Sequence, residues 1–128
     1  MNLATMPYLY GMETIDSCVF CQIASHTHPA KIYTEDKEIV VFQDTKPVAP
    51  VHILIIPKKH IDSINSLSES DAELIGKLVL MGKRMSKVFK VDQSGYRLVF
   101  NTGLHAGQSV FHVHLHLIGG RHLPFRFE

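Results

Sequence analysis

The chain lacks a surplus of either charge: its 128 residues carry 13 Lys and Arg against 12 Asp and Glu, a net charge of +1, with no long basic block. That balance excludes the broad electrostatic footprint of a nucleic-acid polymer binder. No apolar run exceeds strand length, so no membrane span is expected. The first twelve residues contain neither Lys nor Arg and no apolar h-region, so no signal peptide is expected and the reading is a cytoplasmic protein. Cysteine is scarce as well, confined to Cys18 and Cys21. Their spacing admits a local disulfide, a redox pair or half a metal site, and a bridge closing so short a loop would staple little.

What is present is a core and a run of histidine. Hydrophobic residues make up 45% of the chain, enough for one globular domain, although domains of this size gain from oligomerisation. Residues 1–14 show no clear period and read as an N-terminal extension, with the domain itself spanning 15–128. Val19, Phe20, Ile23 and Ala24 recur at helical spacing, with Asp16 or Ser17 placed to cap; Pro29 forbids continuation. Lys31–Glu35 and Glu38–Gln43 read as a hairpin, and His52–Ile56 as a third strand before Pro57. Ser70-Asp71-Ala72-Glu73 has the form of a capping box. It opens a long helix with an apolar stripe of Leu74, Ile75, Leu78, Val79, Met85, Val88 and Phe89, and with Lys83, Arg84, Lys87 and Lys90 toward its C-terminal end. Gly76 and Gly82 inside that helix would be offset by close packing, either in a dimer or on a strand beneath. Tyr96–Asn101 reads as a fourth strand and Gln108–Ile118 as a fifth. Strands and helices do not alternate strictly, so the class is α+β, an antiparallel sheet with helices on one side.

The fifth strand carries the chemistry. In Phe111-His112-Val113-His114-Leu115-His116-Leu117-Ile118, strand periodicity puts His112, His114 and His116 on one face and Phe111, Val113, Leu115 and Leu117 on the other. Three readings apply: ordinary surface or core histidines, a three-His zinc, or catalysis by an imidazole nucleophile. The preceding Ala106-Gly107-Gln108-Ser109 favours the third. Glycine lets backbone N–H groups approach a phosphate, and serine adds a donor.

The run His112-Val113-His114-Leu115-His116-Leu117-Ile118 resembles the His-φ-His-φ-His-φ-φ mark of the histidine-triad (HIT) family. Similarity extends through Phe42-Gln43-Asp44, Ala49-Pro50-Val51-His52, Ile56-Pro57-Lys58-Lys59-His60, Gly95–Asn101 and Gly119-Gly120-Arg121, about residues 15 to 121. Within the family it looks most like the HINT-type branch, the purine nucleoside phosphoramidate hydrolases. The resemblance implies a five-stranded antiparallel sheet with one long and one short helix, dimerising into a ten-stranded sheet. It implies hydrolysis of adenosine or guanosine phosphoramidates, releasing an AMP- or GMP-like nucleotide and an amine, with no organic cofactor. His114 matches the nucleophile. His116 and Ser109 match residues that orient the phosphate and departing amine, and His52 matches one placed behind the nucleophile. Asn101, Gly107 and Gln108 match the phosphate site, and Asp44 the ribose contact. Phe20, Ile23, Phe42 and Thr45 fall around the base. Some members of the superfamily also hold a structural zinc; the matching positions here are Cys18, Cys21, His60 and His112. The tail 121–128 departs from the Trp-containing eukaryotic ending, and this chain has no Trp.

Overall fold

The computed structural model describes residues 17–124. The expected extension 1–14, and Asp16 as a cap, lie outside the described residues. Helix α1, Val19–Ala24, precedes strands β1 (Ile32–Glu35), β2 (Ile39–Gln43) and β3 (Val51–Pro57). The long helix α2 (Ala72–Val88), β4 (Tyr96–Val99) and β5 (Leu115–Gly119) follow. The five strands form one antiparallel sheet in the order β1-β2-β3-β5-β4. No described helix is long and apolar enough to cross a membrane.

Apolar, largely β-branched side chains run consecutively through β2 and β3, so the sheet is apolar on both faces there. Ile39, Val41, Ile53, Ile55, Leu115 and Leu117 pack against Leu78, Met81 and Met85 of α2. On the opposite face Val40, Phe42, Leu54 and Ile56 pack against Phe20, Cys21 and Ile23 of α1. The candidate site residues lie on this second, thinner layer. Gly82 lets α2 settle on the sheet, since a Cβ there would stand 3.0 Å from Leu98 and 3.6 Å from Ile55. Gly76 meets nothing within 4 Å.

Several local expectations are corrected. The capping box is Ser68/Asp71, two residues early, on a 3₁₀ turn (Glu69–Asp71) that leads into α2. Asp71 is drawn there because its carboxylate also takes the Lys59 ammonium at 2.7 Å. Val79 and Val88 are not in the core; they are exposed, as is Leu80. Of the basic residues toward the end of α2, only Lys87 occupies its last turn. Lys90 instead adopts a left-handed conformation (φ 58°) that closes the helix, with Lys90 N–H on Lys87 O and Val91 N–H on Ser86 O. Helix α1 is capped by Cys18, whose sulfur accepts the Cys21 N–H at 3.4 Å, and not by Ser17.

The fifth strand is the largest correction. Its pairing with β3 ends at Ile55↔Leu115, so His112 and His114 precede the ladder instead of belonging to it. Pro57 offers no N–H to continue the ladder, and its carbonyl is taken by His112 Nε2 at 2.7 Å. The Val113 N–H turns to Ile61 O at 2.6 Å. The chain therefore leaves β3 where the two chemically loaded histidines begin.

Candidate active site

A cavity of about 540 Å³ opens on the α1 face of the sheet. Phe20, Ile23 and Phe42 form apolar wall; Asp44 and Thr45 follow β2; Asn101, Gly107 and Ser109 come from the loop after β4; His114 and His116 line it from β5 and its approach. Ten of the residues singled out from the sequence thus meet around one space. His52 and Gln108 do not line it. Gln108 is buried, its Oε1 accepting Gly103 N–H at 2.8 Å and its Nε2 donating to Asp62 O and Val110 O. Its side chain braces the loop that carries Gly107 and Ser109.

Hydrogen-bond partners assign the protonation of each ring. His114 Nδ1 lies 2.8 Å from the His112 carbonyl, which can only accept, so Nδ1 carries the hydrogen and Nε2 keeps a lone pair. Phe20 and the His114 ring meet in a T-shaped contact, 5.1 Å between centroids. Burial holds the His114 pKa below the usual imidazole range, against the opposing pull of the His112 carbonyl and Asp44. His52 stands behind His116, not behind His114. The Val48 N–H donates to His52 Nδ1 at 3.1 Å, so in the neutral ring Nε2 carries the hydrogen. That Nε2–H faces His116 Nδ1 at 2.9 Å and Asp44 Oδ2 at 3.2 Å. His116 Nδ1 is then an acceptor, and its hydrogen resides on Nε2. Burial, with His114 and His52 nearby, pushes the His116 pKa down to about 4, so it is a neutral donor at pH 7. One ring offers a lone pair and its neighbour offers an N–H.

Asp44 is fixed by its own turn, Oδ1 accepting Lys46 N–H at 2.7 Å. Asp44, His52 and His116 lie close enough together to suggest a metal. The protonated Nε2 of His52 removes the lone pair such a site would need.

A separate donor set sits beneath α1. One ligand atom from each of Cys18, Cys21, His60 and His112 lies within 4.8 Å of all the others. Cys18 Sγ and Cys21 Sγ are 3.5 and 3.4 Å from His112 Nδ1, and Cys21 Sγ is 3.2 Å from His60 Nδ1. A tetrahedron with Zn–S about 2.3 Å and Zn–N about 2.0–2.1 Å has S···N edges of about 3.6 Å, so the residues fit zinc. The outward nitrogens agree: His60 Nε2 lies 2.8 Å from Asp62 Oδ1 and His112 Nε2 2.7 Å from Pro57 O. Each ring thereby donates outward and turns a lone pair inward. Asp62 was missed in the sequence; its place two residues after His60 is the signal that could have found it.

Residues 17–125 match the family described as scavenger mRNA decapping enzyme C-term binding. An uncharacterised HIT-like protein of Buchnera aphidicola is 40% identical over 105 residues, 82% of this chain and 94% of that protein. This chain belongs to the histidine-triad family. A HIT family hydrolase from Legionella pneumophila superposes with a TM-score of 0.83 at 45% identity, over 84% of this chain and 96% of that one. A zinc-bound histidine-triad protein from Mycobacterium smegmatis gives 0.75 at 31% identity, over 84% and 78%. The five-stranded sheet and long helix are the fold these structures share with the chain.

Proposed function

We propose that this histidine-triad protein hydrolyses purine nucleoside 5′-phosphoramidates through a covalent nucleotidyl-histidine. The observation that carries the reading is the pair of opposite protonation states on adjacent rings, an unprotonated Nε2 on His114 and an Nε2–H on His116, both lining one cavity.

The apolar wall of Phe20, Ile23 and Phe42 takes the base, and Asp44 accepts from the ribose hydroxyls. Asn101, Ser109 and the Gly107 backbone hold the phosphate oxygens. His114 Nε2 attacks phosphorus, the P–N bond breaks, and the departing amine leaves with a proton delivered from the His116 and Ser109 side. Water then attacks the phosphorus of the nucleotidyl-imidazole and gives one proton back to the His116 and Ser109 side, which restores the donor. The P–N bond to His114 breaks, its electron pair returns to Nε2, and the nucleoside monophosphate is released. Burial favours the neutral form of the His114 ring, which suits both attack and departure.

Cys18, Cys21, His60 and His112 would hold zinc, which when bound supplies a structural cross-link between α1 and the segment leading to the nucleophile. The fit of the donor set and the zinc-bound relative support this reading. We further read the protein as a homodimer with a continuous ten-stranded sheet. Among the described residues β4 pairs only with β5, and Val79, Leu80 and Val88 of α2 stand exposed.

A second reading, cleavage of dinucleoside polyphosphates by the same nucleophile, is favoured by Lys31 and Lys46, which also line the cavity and suit additional phosphates. The deciding experiment compares turnover of adenosine phosphoramidate with that of a diadenosine polyphosphate. Faster hydrolysis of the phosphoramidate supports the first reading; the reverse order overturns it in favour of the second.

A further inference from the structure

The Gly119-Gly120-Arg121 segment lies at the exit of β5, outside the cavity, yet a continuous series of hydrogen bonds joins it to His116. Gly120 has φ +89°, and a Cβ there would stand 3.1 Å from Pro50, so only glycine lets the chain turn against the loop 44–50. That turn delivers Arg121. Its Nε and Nη2 donate to the Val48 carbonyl at 3.2 and 3.0 Å, and its Nη1 donates to His122 O at 2.8 Å. The amide of the same residue, Val48, donates to His52 Nδ1. His52 Nε2 in turn meets His116 Nδ1.

We propose that Arg121 is a positioning residue for His116, acting through Val48 and His52. The inference rests on the reading of His116 as the donor in the proposed hydrolysis, and it names a residue of that machinery that touches no substrate. The loop between β2 and β3 carries Pro47 and Pro50 and makes few backbone hydrogen bonds of its own, so the orientation of Val48 is set from outside. Two charge-assisted bonds on its carbonyl hold the residue, and its N–H is thereby kept on His52 Nδ1. This contact, together with the Asp44 carboxylate 3.2 Å from His52 Nε2, keeps the His52 hydrogen on Nε2, and that hydrogen directs the His116 hydrogen onto the nitrogen facing the cavity. The effect is positional. The carbonyl that Arg121 grips and the N–H that His52 receives belong to different peptide groups, so polarisation alone does not carry it. Without the guanidinium, Val48 moves away, only Asp44 is left to hold the His52 hydrogen on Nε2, and the ring begins to sample the other tautomer. In the wrong one His116 presents a lone pair to the leaving group.

The test uses the full chain labelled with ¹⁵N in histidine, because long-range ¹H–¹⁵N spectra report which ring nitrogen carries the hydrogen. The wild-type protein should show pyrrole-type Nε2 on both His52 and His116. In Arg121→Ala both pairs of resonances should move toward tautomer-averaged positions, while His114, held by the His112 carbonyl, stays put. Guanidinium ion added to this variant should move them back, and Arg121→Lys, which keeps the charge and one donor head, should fall between. Arg97→Ala, which among the described residues removes a hydrogen bond to Pro124 O, should leave all three rings unchanged. With phosphoramidate substrate, Arg121→Ala should lose about tenfold in kcat with KM within about twofold, the scale of one mispositioned hydrogen bond. Unmoved His52 and His116 resonances in Arg121→Ala overturn the proposal, and where that variant does not fold, unmoved resonances in Arg121→Lys do so. Moved resonances in a protein that turns over no phosphoramidate would instead uphold the positioning and refute the assigned reaction.

Discussion

The carbonyl of His112 accepts the Nδ1–H of His114 at 2.8 Å, while the ring of His112 sits 3.4–3.5 Å from the sulfurs of Cys21 and Cys18. One residue therefore faces the metal donor set with its side chain and the proposed nucleophile with its backbone. Whatever fixes the His112 ring also fixes the acceptor that decides which nitrogen of His114 is free.

The geometry of that donor set predicts zinc binding. Protein purified without added metal should contain about one zinc per chain by elemental analysis, and Cys21→Ser should lose it together with thermal stability. Asp62→Asn, which weakens the acceptor behind His60, should keep the fold and lower zinc affinity by about 10- to 100-fold. Competition with a chromophoric chelator measures both.

Stability should fall on the acid side of neutrality. His116 has its pKa lowered to about 4 by burial, so the folded protein holds it neutral while the unfolded chain takes up a proton near the ordinary imidazole value. The contribution is present above about pH 6.5 and is lost progressively as pH falls toward 4. Denaturant midpoints measured from pH 7.5 to 4.5 should decline, and His116→Gln should flatten that decline.

Gly76 occupies an exposed helix interior with open space where a Cβ would stand. Gly76→Ala should raise stability by about 0.5–1 kcal/mol through helix propensity and a less flexible unfolded chain. Urea denaturation at fixed protein concentration checks the sign.

Leu117 is wholly buried between α2 and the neighbouring strands. Leu117→Ala should cost about 2–5 kcal/mol, the usual range for a core cavity of that size. Chemical denaturation with an unchanged m-value would confirm that the loss lies in the folded core.

The α+β class, the five strands and the long helix were legible because β2 and β3 are short, continuous apolar runs buried on both faces, while α2 carries one apolar stripe. The boundary of β5 was not. Alternation continues through His112 and His114, and what ends the ladder is the missing N–H of Pro57 and the carbonyl of Ile61, both distant in sequence. The cap of α2 was similarly ambiguous, since Ser68/Asp71 and Ser70/Glu73 share one spacing and Lys59 decides between them. Residues around the cavity were named through family resemblance, and ten of them line it. Gln108 and His52 act from behind it, a distinction that depends on register and side-chain hydrogen bonds. The Arg121–Val48 contact joins residues far apart in the chain and leaves no local pattern to read.

The account turns on His114 as the nucleophile. Rapid quenching of the enzyme with adenosine phosphoramidate, followed by intact-mass spectrometry, should reveal one nucleotidyl group per chain on the wild-type protein. His114→Ala should show none, with turnover reduced by more than about 10³-fold and AMP binding retained. Undiminished hydrolysis by His114→Ala, or a nucleotidyl group still attached to it, would contradict the account.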